Sequence, residues 1–243
     1  MLFSEILGKS LKKTLREEKL CKNILLKPSD ELRLEVVRYL GYGSSSDVTP
    51  EIDLLIQKGM DEICTAAEPG AICRCFFPEN SIDFPPLGSD SEKTCTSLHR
   101  CSGIILMGAT LGISVDRLLN RTQIQSMVYA LVLDSCATAF IESVCDSIQD
   151  DLTIAYADKN KYLTRRHSPG YGNLQLSSQP QLLSLLDAGR KIGLSVTRNF
   201  LLTPTKSVTA VIGVSDFHRK IEPVSCNVCE MRGKCHFRRR EAS

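Results

Sequence analysis

The run SGIILMGATLG, residues 102–112, is short, apolar and bounded by glycine, and it reads as a β-strand that leads into a turn. Directly after it the period changes. From Ser114 to about Asp150 the apolar residues Leu118, Leu119, Ile124, Met127, Val128, Leu131, Cys136, Phe140 and Val144 return at helical spacing. The later part, Thr122 to Asp150, would alone be about 43 Å long, the length of a domain's spine.

Working outward, AICRCFF (71–77) reads as a second strand, and PENSIDFPPLGSDSEKTCT (78–96) as strand fragments and loop. Three helices are expected before them. Residues 5–24 carry Ile6, Leu7, Leu11 and Leu15 at helical spacing among lysines and glutamates. SDELRLEVVRYLGYG (29–43) has Ser29 or Asp30 to cap its start and Gly41 to end it. Thr49–Pro50 opens the third, with Ile52, Leu55, Ile56, Met60 and Ile63 on one face. Toward the C-terminus, Ser178 and Pro180 start a short helix that Gly189 can end, and LSVTRNFLL (194–202) and SVTAVIGVS (207–215) read as strands. There is no βαβ repeat and no dinucleotide fingerprint. The expected class is therefore α+β, a mostly antiparallel twisted sheet packed with long helices, plus an N-terminal helical extension. The expected division is 1–27 for that extension, 28–225 for the body and 226–243 for a Cys-rich basic tail.

With 243 residues, 42% of them hydrophobic, the chain can build a sizeable core. A net charge of +2 is too small to imply nucleic-acid binding across the surface. The N-terminal charges follow a very short apolar stretch, the reverse of a secretory signal, and no run is expected to span a membrane, so a cytoplasmic protein is predicted. Eleven cysteines are an odd count for a disulfide framework. Cys64, Cys73, Cys75, Cys101, Cys136 and Cys145 lie in or beside apolar runs and are expected to pack as small hydrophobes.

The chemistry-bearing features are few. His99, His167, His218 and His236 show no metal-site spacing, and GATLG lacks the Lys-Ser/Thr ending of a phosphate loop. Glu142 lies on the long helix among Phe140, Ile141 and Val144, placed either at the edge of a buried face or against a polar ligand. RRHSPGYGN (165–173) is a shaped loop. Pro169 fixes its own φ, Gly170 and Gly172 permit positive φ, and Arg165 and Arg166 bring forked donors suited to carboxylate or phosphate. In CNVCEMRGKCHFRRR, Cys226, Cys229 and Cys235 form CxxC with a third cysteine, three ligands that suit Zn²⁺ or, with a fourth, an iron–sulfur cluster.

Three stretches, GATLGISVDRLLNRTQIQSMVYALVLDSCATAFIE (108–142), RRHSPGYGN (165–173) and LLTPTKSVTAVIGV (201–214), together resemble the activation domain of cobalamin-dependent methionine synthase, in its stand-alone form. The similarity extends over roughly residues 28–243. It implies S-adenosylmethionine binding by Arg166, Ser168, Gly170, Tyr171 and Glu142, with Arg166 near the ligand's carboxylate and Tyr171 and Gly172 at a corrinoid interface. It implies no catalytic side chain of the chain's own, cobalamin carried by a partner, and an electron donor such as a flavodoxin or ferredoxin. The chain would be a subunit of a methyltransferase activity, reactivating its corrinoid partner by reductive methylation. It departs from the full-length synthases at Thr138, where they carry another acid, at Gly172, where they carry Pro, and at Ser177, where they carry His.

A different class remains open beside that one, a non-catalytic scaffold or metal/redox protein acting through Cys226, Cys229 and Cys235. Elemental analysis of anaerobically prepared protein tests the tail. About one equivalent of zinc makes it a metal site, colour with iron makes it a cluster, and neither, with all three thiols open to alkylation, leaves free cysteines.

Overall fold

The computed structural model describes residues 15–22, 24–43, 47–77, 98, 101–171 and 174–217. In chain order the elements are β1 (Leu15–Lys22), α1 (Asp30–Tyr39), α2 (Pro50–Ala66), β2 (Gly70–Phe76), β3 (Gly103–Thr110), α3 (Ile113–Gln125) and α4 (Met127–Ala157). They continue with β4 (Tyr162–Leu163), a 3₁₀ turn (Leu176–Ser178), α5 (Gln179–Leu186), α6 (Ala188–Ile192), β5 (Ser195–Val196), β6 (Leu202–Thr203) and β7 (Ser207–Ser215).

Five strands form one sheet in the order β1-β2-β3-β7-β4, every neighbouring pair antiparallel. β3 lies at its centre, and every residue of it is buried. Because side chains alternate across a strand, Ile105, Met107 and Ala109 join one apolar cluster with α1–α4, while Ile104 and Leu106 join another with α5 and α6. A strand covered on both faces reads as a continuous apolar run, which is why residues 103–110 are legible as one.

The helix ends follow their capping chemistry. The Ser29 hydroxyl accepts the Leu32 N–H at 3.1 Å, and Gly41 takes φ +86° beyond α1. Thr49 caps α2, with Pro50 in its first turn.

Four expectations need correction. The helix expected over 5–24 is, within its described residues, the edge strand β1. Lys19 and Cys21 face α4 and the helix-side core, Lys19 through a 2.9 Å bond to Asp151. Glu18 faces the other way, 2.7 Å from Arg74 and 3.0 Å from Lys191. The free edge of β2 supplies a ladder that outweighs local helix propensity. The helical run from Ser114 breaks at Ser126, whose extended backbone frees its hydroxyl to cap α4 at the Tyr129 N–H. α5 ends at Asp187, with φ +55°, so Gly189 falls inside α6. LSVTRNFLL supplies only the short β5–β6 pair. In addition, α4 is by length and composition able to cross a membrane, although no such run was expected. In its most apolar window 61% is buried within the fold.

Of the six cysteines expected to pack, Cys73, Cys75, Cys101, Cys136 and Cys145 are buried and Cys64 is half-buried. Burial pushes the Cys73, Cys136 and Cys145 thiols up to about 12, so they are inert hydrophobes.

Gly213 in β7 underlies the strand that leads into the Arg-Arg-His loop. Its N–H donates to the Thr164 hydroxyl at 2.8 Å, and its carbonyl accepts the Thr164 N–H at 2.9 Å. A Cβ there would stand 2.5 Å from the Cys101 Sγ and 3.0 Å from the Thr164 side chain. Gly213→Ala is expected to destabilise the fold by about 1–3 kcal/mol, the usual cost of overpacking, read as a lowered denaturant midpoint at unchanged m-value.

Candidate functional site

The site lies at the β7 margin of the sheet, where α4 passes the loop that follows β4. That loop is an extension of the sheet. Beyond Leu163↔Val214, the His167 N–H donates to the Val211 carbonyl and the Val211 N–H to that of His167, both at 2.9 Å. The chain then leaves the edge and turns at Gly170, with φ +92°, whose N–H donates to the Leu174 carbonyl at 2.7 Å. Pro169 is buried beneath the turn, and Tyr171 projects from it, 75% exposed.

This path aims Arg166 at α4. Its guanidinium donates to Asp146 at 2.7 Å, to Glu142 at 3.3 Å and to Gln149 at 3.3 Å. Those three positions share one helix face, since residues about four apart stack above one another. The fork expected to receive a ligand carboxylate is thus engaged by the helix, and Arg166 and Glu142, named as separate ligand contacts, are bonded to each other. Burial pushes the Glu142 carboxyl above the usual carboxylate range, further than the Arg166 charge pulls it back. Burial, and then the Arg165 charge, lower the His167 imidazole, which keeps it neutral near neutral pH.

Glu142 also lines a groove of about 400 Å³, within the usual size of small-molecule sites. One wall is α4, through Thr138, Ile141 and Glu142; a second is Ser168, Pro169 and Tyr171; the third is the segment from Phe200 to Thr209. Phe200, Leu201, Leu202 and Leu176 make the groove apolar along part of its length.

Its polar end contains a lysine that sequence reasoning did not single out. The Lys206 Nζ donates to the Thr138 hydroxyl at 2.8 Å and pairs with Asp134 at 2.9 Å, its side chain 14% exposed. Thr138 in turn donates its hydroxyl proton to the Asp134 carbonyl, leaving a lone pair for the lysine. Asp116, also unanticipated, holds the third wall by accepting the Thr205 N–H at 2.9 Å and the Thr205 hydroxyl at 2.7 Å. A usable signal was the recurrence of Asp134, Thr138, Glu142, Asp146 and Asp150 every four residues, a polar stripe on an otherwise apolar helix.

The structure therefore brings Glu142, Ser168 and Tyr171 to one groove, with Gly170 shaping its loop and Arg166 on the far flank of Glu142. Thr138 lines the same groove, whereas Ser177 is exposed and bonded to Gln175. Gly172 and the cysteines at 226, 229 and 235 lie outside the described residues. Among the described residues no group of three or more His, Cys, Asp or Glu is placed to hold a metal ion.

Residues 106–220 match the family model of the vitamin B12 dependent methionine synthase activation domain. The crystal structure of the MetH reactivation domain bound to AdoHcy is similar in fold, with a TM-score of 0.59 and 15% identity, covering 86% of this chain and 81% of that one. No curated protein matches the chain. The resemblance carried by the three sequence stretches and the α+β class are both borne out.

Because burial disfavours its ionised form, Glu142 costs the fold stability at neutral pH. The cost is present above its raised pKa and absent below the ordinary glutamate value, where both folded and unfolded chains carry it protonated. Glu142→Gln is expected to melt above the parent at neutral pH and level with it in acid. A lower melting temperature at neutral pH would show the Arg166 pairing to outweigh burial.

Proposed function

We propose that this chain, whose residues 106–220 match the activation domain of vitamin B12 dependent methionine synthase, binds S-adenosylmethionine in the groove beside Glu142 and supports reductive methylation of a partner's cobalamin. One observation carries the reading. Thr138–Glu142, Ser168–Tyr171 and Phe200–Thr209, which supply most of the groove, all fall inside the matched segment. The AdoHcy named with the fold neighbour is the demethylated form of the same ligand.

The residues present suit such a molecule. When bound, the sulfonium supplies an electrophilic methyl group to the corrinoid of the partner, reduced by an external donor such as a flavodoxin or ferredoxin. Transfer of a methyl group from sulfur to a metal-centred nucleophile moves no proton, so the chain needs orientation and not a general base. Glu142 offers the ligand's ammonium an oxygen: among the described residues only its Oε2 is bonded, to Arg166. Arg166 holds that carboxylate in place and favours its ionised form. Ser168 adds a hydroxyl at the groove wall, and Gly170 lets the loop pass close. Leu176, Phe200, Leu201 and Leu202 offer apolar surface to the adenine. Tyr171 and Leu201, 75% and 63% exposed, form an apolar rim where the corrinoid partner would dock, with Gly172 next in the chain.

Calorimetry with S-adenosylmethionine is expected to give saturable 1:1 binding, and none by the folded chain would overturn the reading. Arg166→Ala should weaken that binding by releasing Glu142, by up to about 1.5–3 kcal/mol, the worth of the charge-assisted hydrogen bond that holds the carboxylate. Tyr171→Phe should keep the affinity and lower methyl transfer in a reconstituted reactivation assay. Unchanged turnover would remove the Tyr171 hydroxyl from the interface.

A further inference from the structure

We propose that a second groove, between α1 and α4, is the docking site of this chain's own basic segment RGKCHFRRR, residues 232–240. The groove has a volume of about 590 Å³ and shares only Glu142 with the groove described above. Its floor is made of small residues. Ala139, Ser143 and Ser147 recur every four positions on α4, so a long side chain has room to lie along the helix there. Its walls are acidic, since six of its fourteen lining residues are carboxylates and only two are cations. Both cations are engaged, Arg38 with Glu35 and Arg166 with Asp146 and Glu142. Asp151 holds Lys19 at 2.9 Å, whereas Glu31 and Asp150 form no ion pair among the described residues. The groove is thus left with carboxylates that a basic segment would match.

The chain itself carries the complementary charge. Residues 218–243 have seven Lys and Arg against three Glu, and residues 232–240 hold five of the seven with no acid. The body also ends on the right side. Ser215 pairs with Tyr162, Asp216 pairs with Lys161, and the Lys161 N–H donates to the Tyr156 carbonyl at 2.9 Å, so the described chain stops at Phe217 beside the C-terminal end of α4. Asp151 and Asp150 stand five and six residues before Tyr156, about 8–9 Å back along the helix. Arg238 is 21 positions beyond Phe217, a length that spans about 70 Å when fully extended, so reach does not limit the contact. Exposed ion pairs are weak one at a time. A tethered segment, however, meets its site at an effective concentration of up to about millimolar, and several such pairs act together. Guanidinium forks suit the open carboxylates of Glu31 and Asp150, and the arginine stems suit the small-residue floor. The docking stands whether or not the neighbouring groove takes S-adenosylmethionine.

Zero-length carbodiimide coupling, which joins a lysine amine to a carboxylate it touches, reads the docked state in the full chain at low ionic strength. Peptide mapping of the monomer is expected to find Lys234 joined to Glu31, Asp150 or Asp151. The link should be lost at about 1 M salt, where the Debye length falls to about 3 Å. It should also be lost in the triple variant Arg238→Glu, Arg239→Glu, Arg240→Glu. Adding Glu31→Lys and Asp150→Lys to that variant should restore a link between groove and tail, an outcome that charge matching gives and a general disturbance of the protein does not. Both groove positions are exposed, and thermal melts confirm that each variant is folded. Three outcomes overturn the assignment: no link to the groove, a link that survives the triple reversal, or a link found only between two chains, which would make a second copy the occupant.

Discussion

The complete burial of β3 is the constraint from which the rest of the molecule follows. A strand with no exposed residue needs an apolar layer on each face and a paired strand on each edge. Here α1–α4 cover one face and α5–α6 the other, with β2 and β7 along its edges. Fully burying a Leu, Ile or Met side chain stabilises by about 1.5–3 kcal/mol, and Ile104, Ile105, Leu106 and Met107 are all fully buried within this one strand. The centre of the sheet is consequently devoted to packing, and chemistry is displaced to the margin beyond β7. There short bridges replace long ladders, and loops can present side chains.

What could be read from sequence divides along this line. Caps at Ser29 and Thr49, the buried strands at 71–77 and 102–112, and the long helix depend on neighbours in the chain, and they were legible. β1 was not, because its strand state depends on the open edge of β2, some fifty residues away. The break at Ser126 was also missed, since the apolar period runs through it and only the serine's capping geometry marks it. The site was half legible. Glu142 and the Pro-Gly-Tyr loop were found because their residue types are unusual where they stand. Lys206 looks like a loop lysine until the fold sets it against Thr138, 68 positions earlier.

The electrostatics of α4 unify the margin. Asp134, Glu142, Asp146 and Asp151 project from one helix, and Lys206, Arg166 and Lys19 come to them from separate parts of the chain. Mostly exposed pairs of this kind add little stability. Their effect is positional, each fixing a loop or strand relative to the helix. Arg166 meets two of these acids, and its charge partly offsets the upward push that burial gives the Glu142 carboxyl.

The two margins of the sheet differ in how they treat a passing strand. Among the described residues β1 is paired on one side only, and its sequence, LREEKLCK, is mostly charged. A charged border discourages another chain from adding to the ladder, because the new strand would have to desolvate those groups. At the opposite margin β4 is only two residues long before the chain turns away, too brief to template an intruder. Among the described residues both margins of the sheet thereby discourage growth through backbone pairing, and the loop end presents side chains instead.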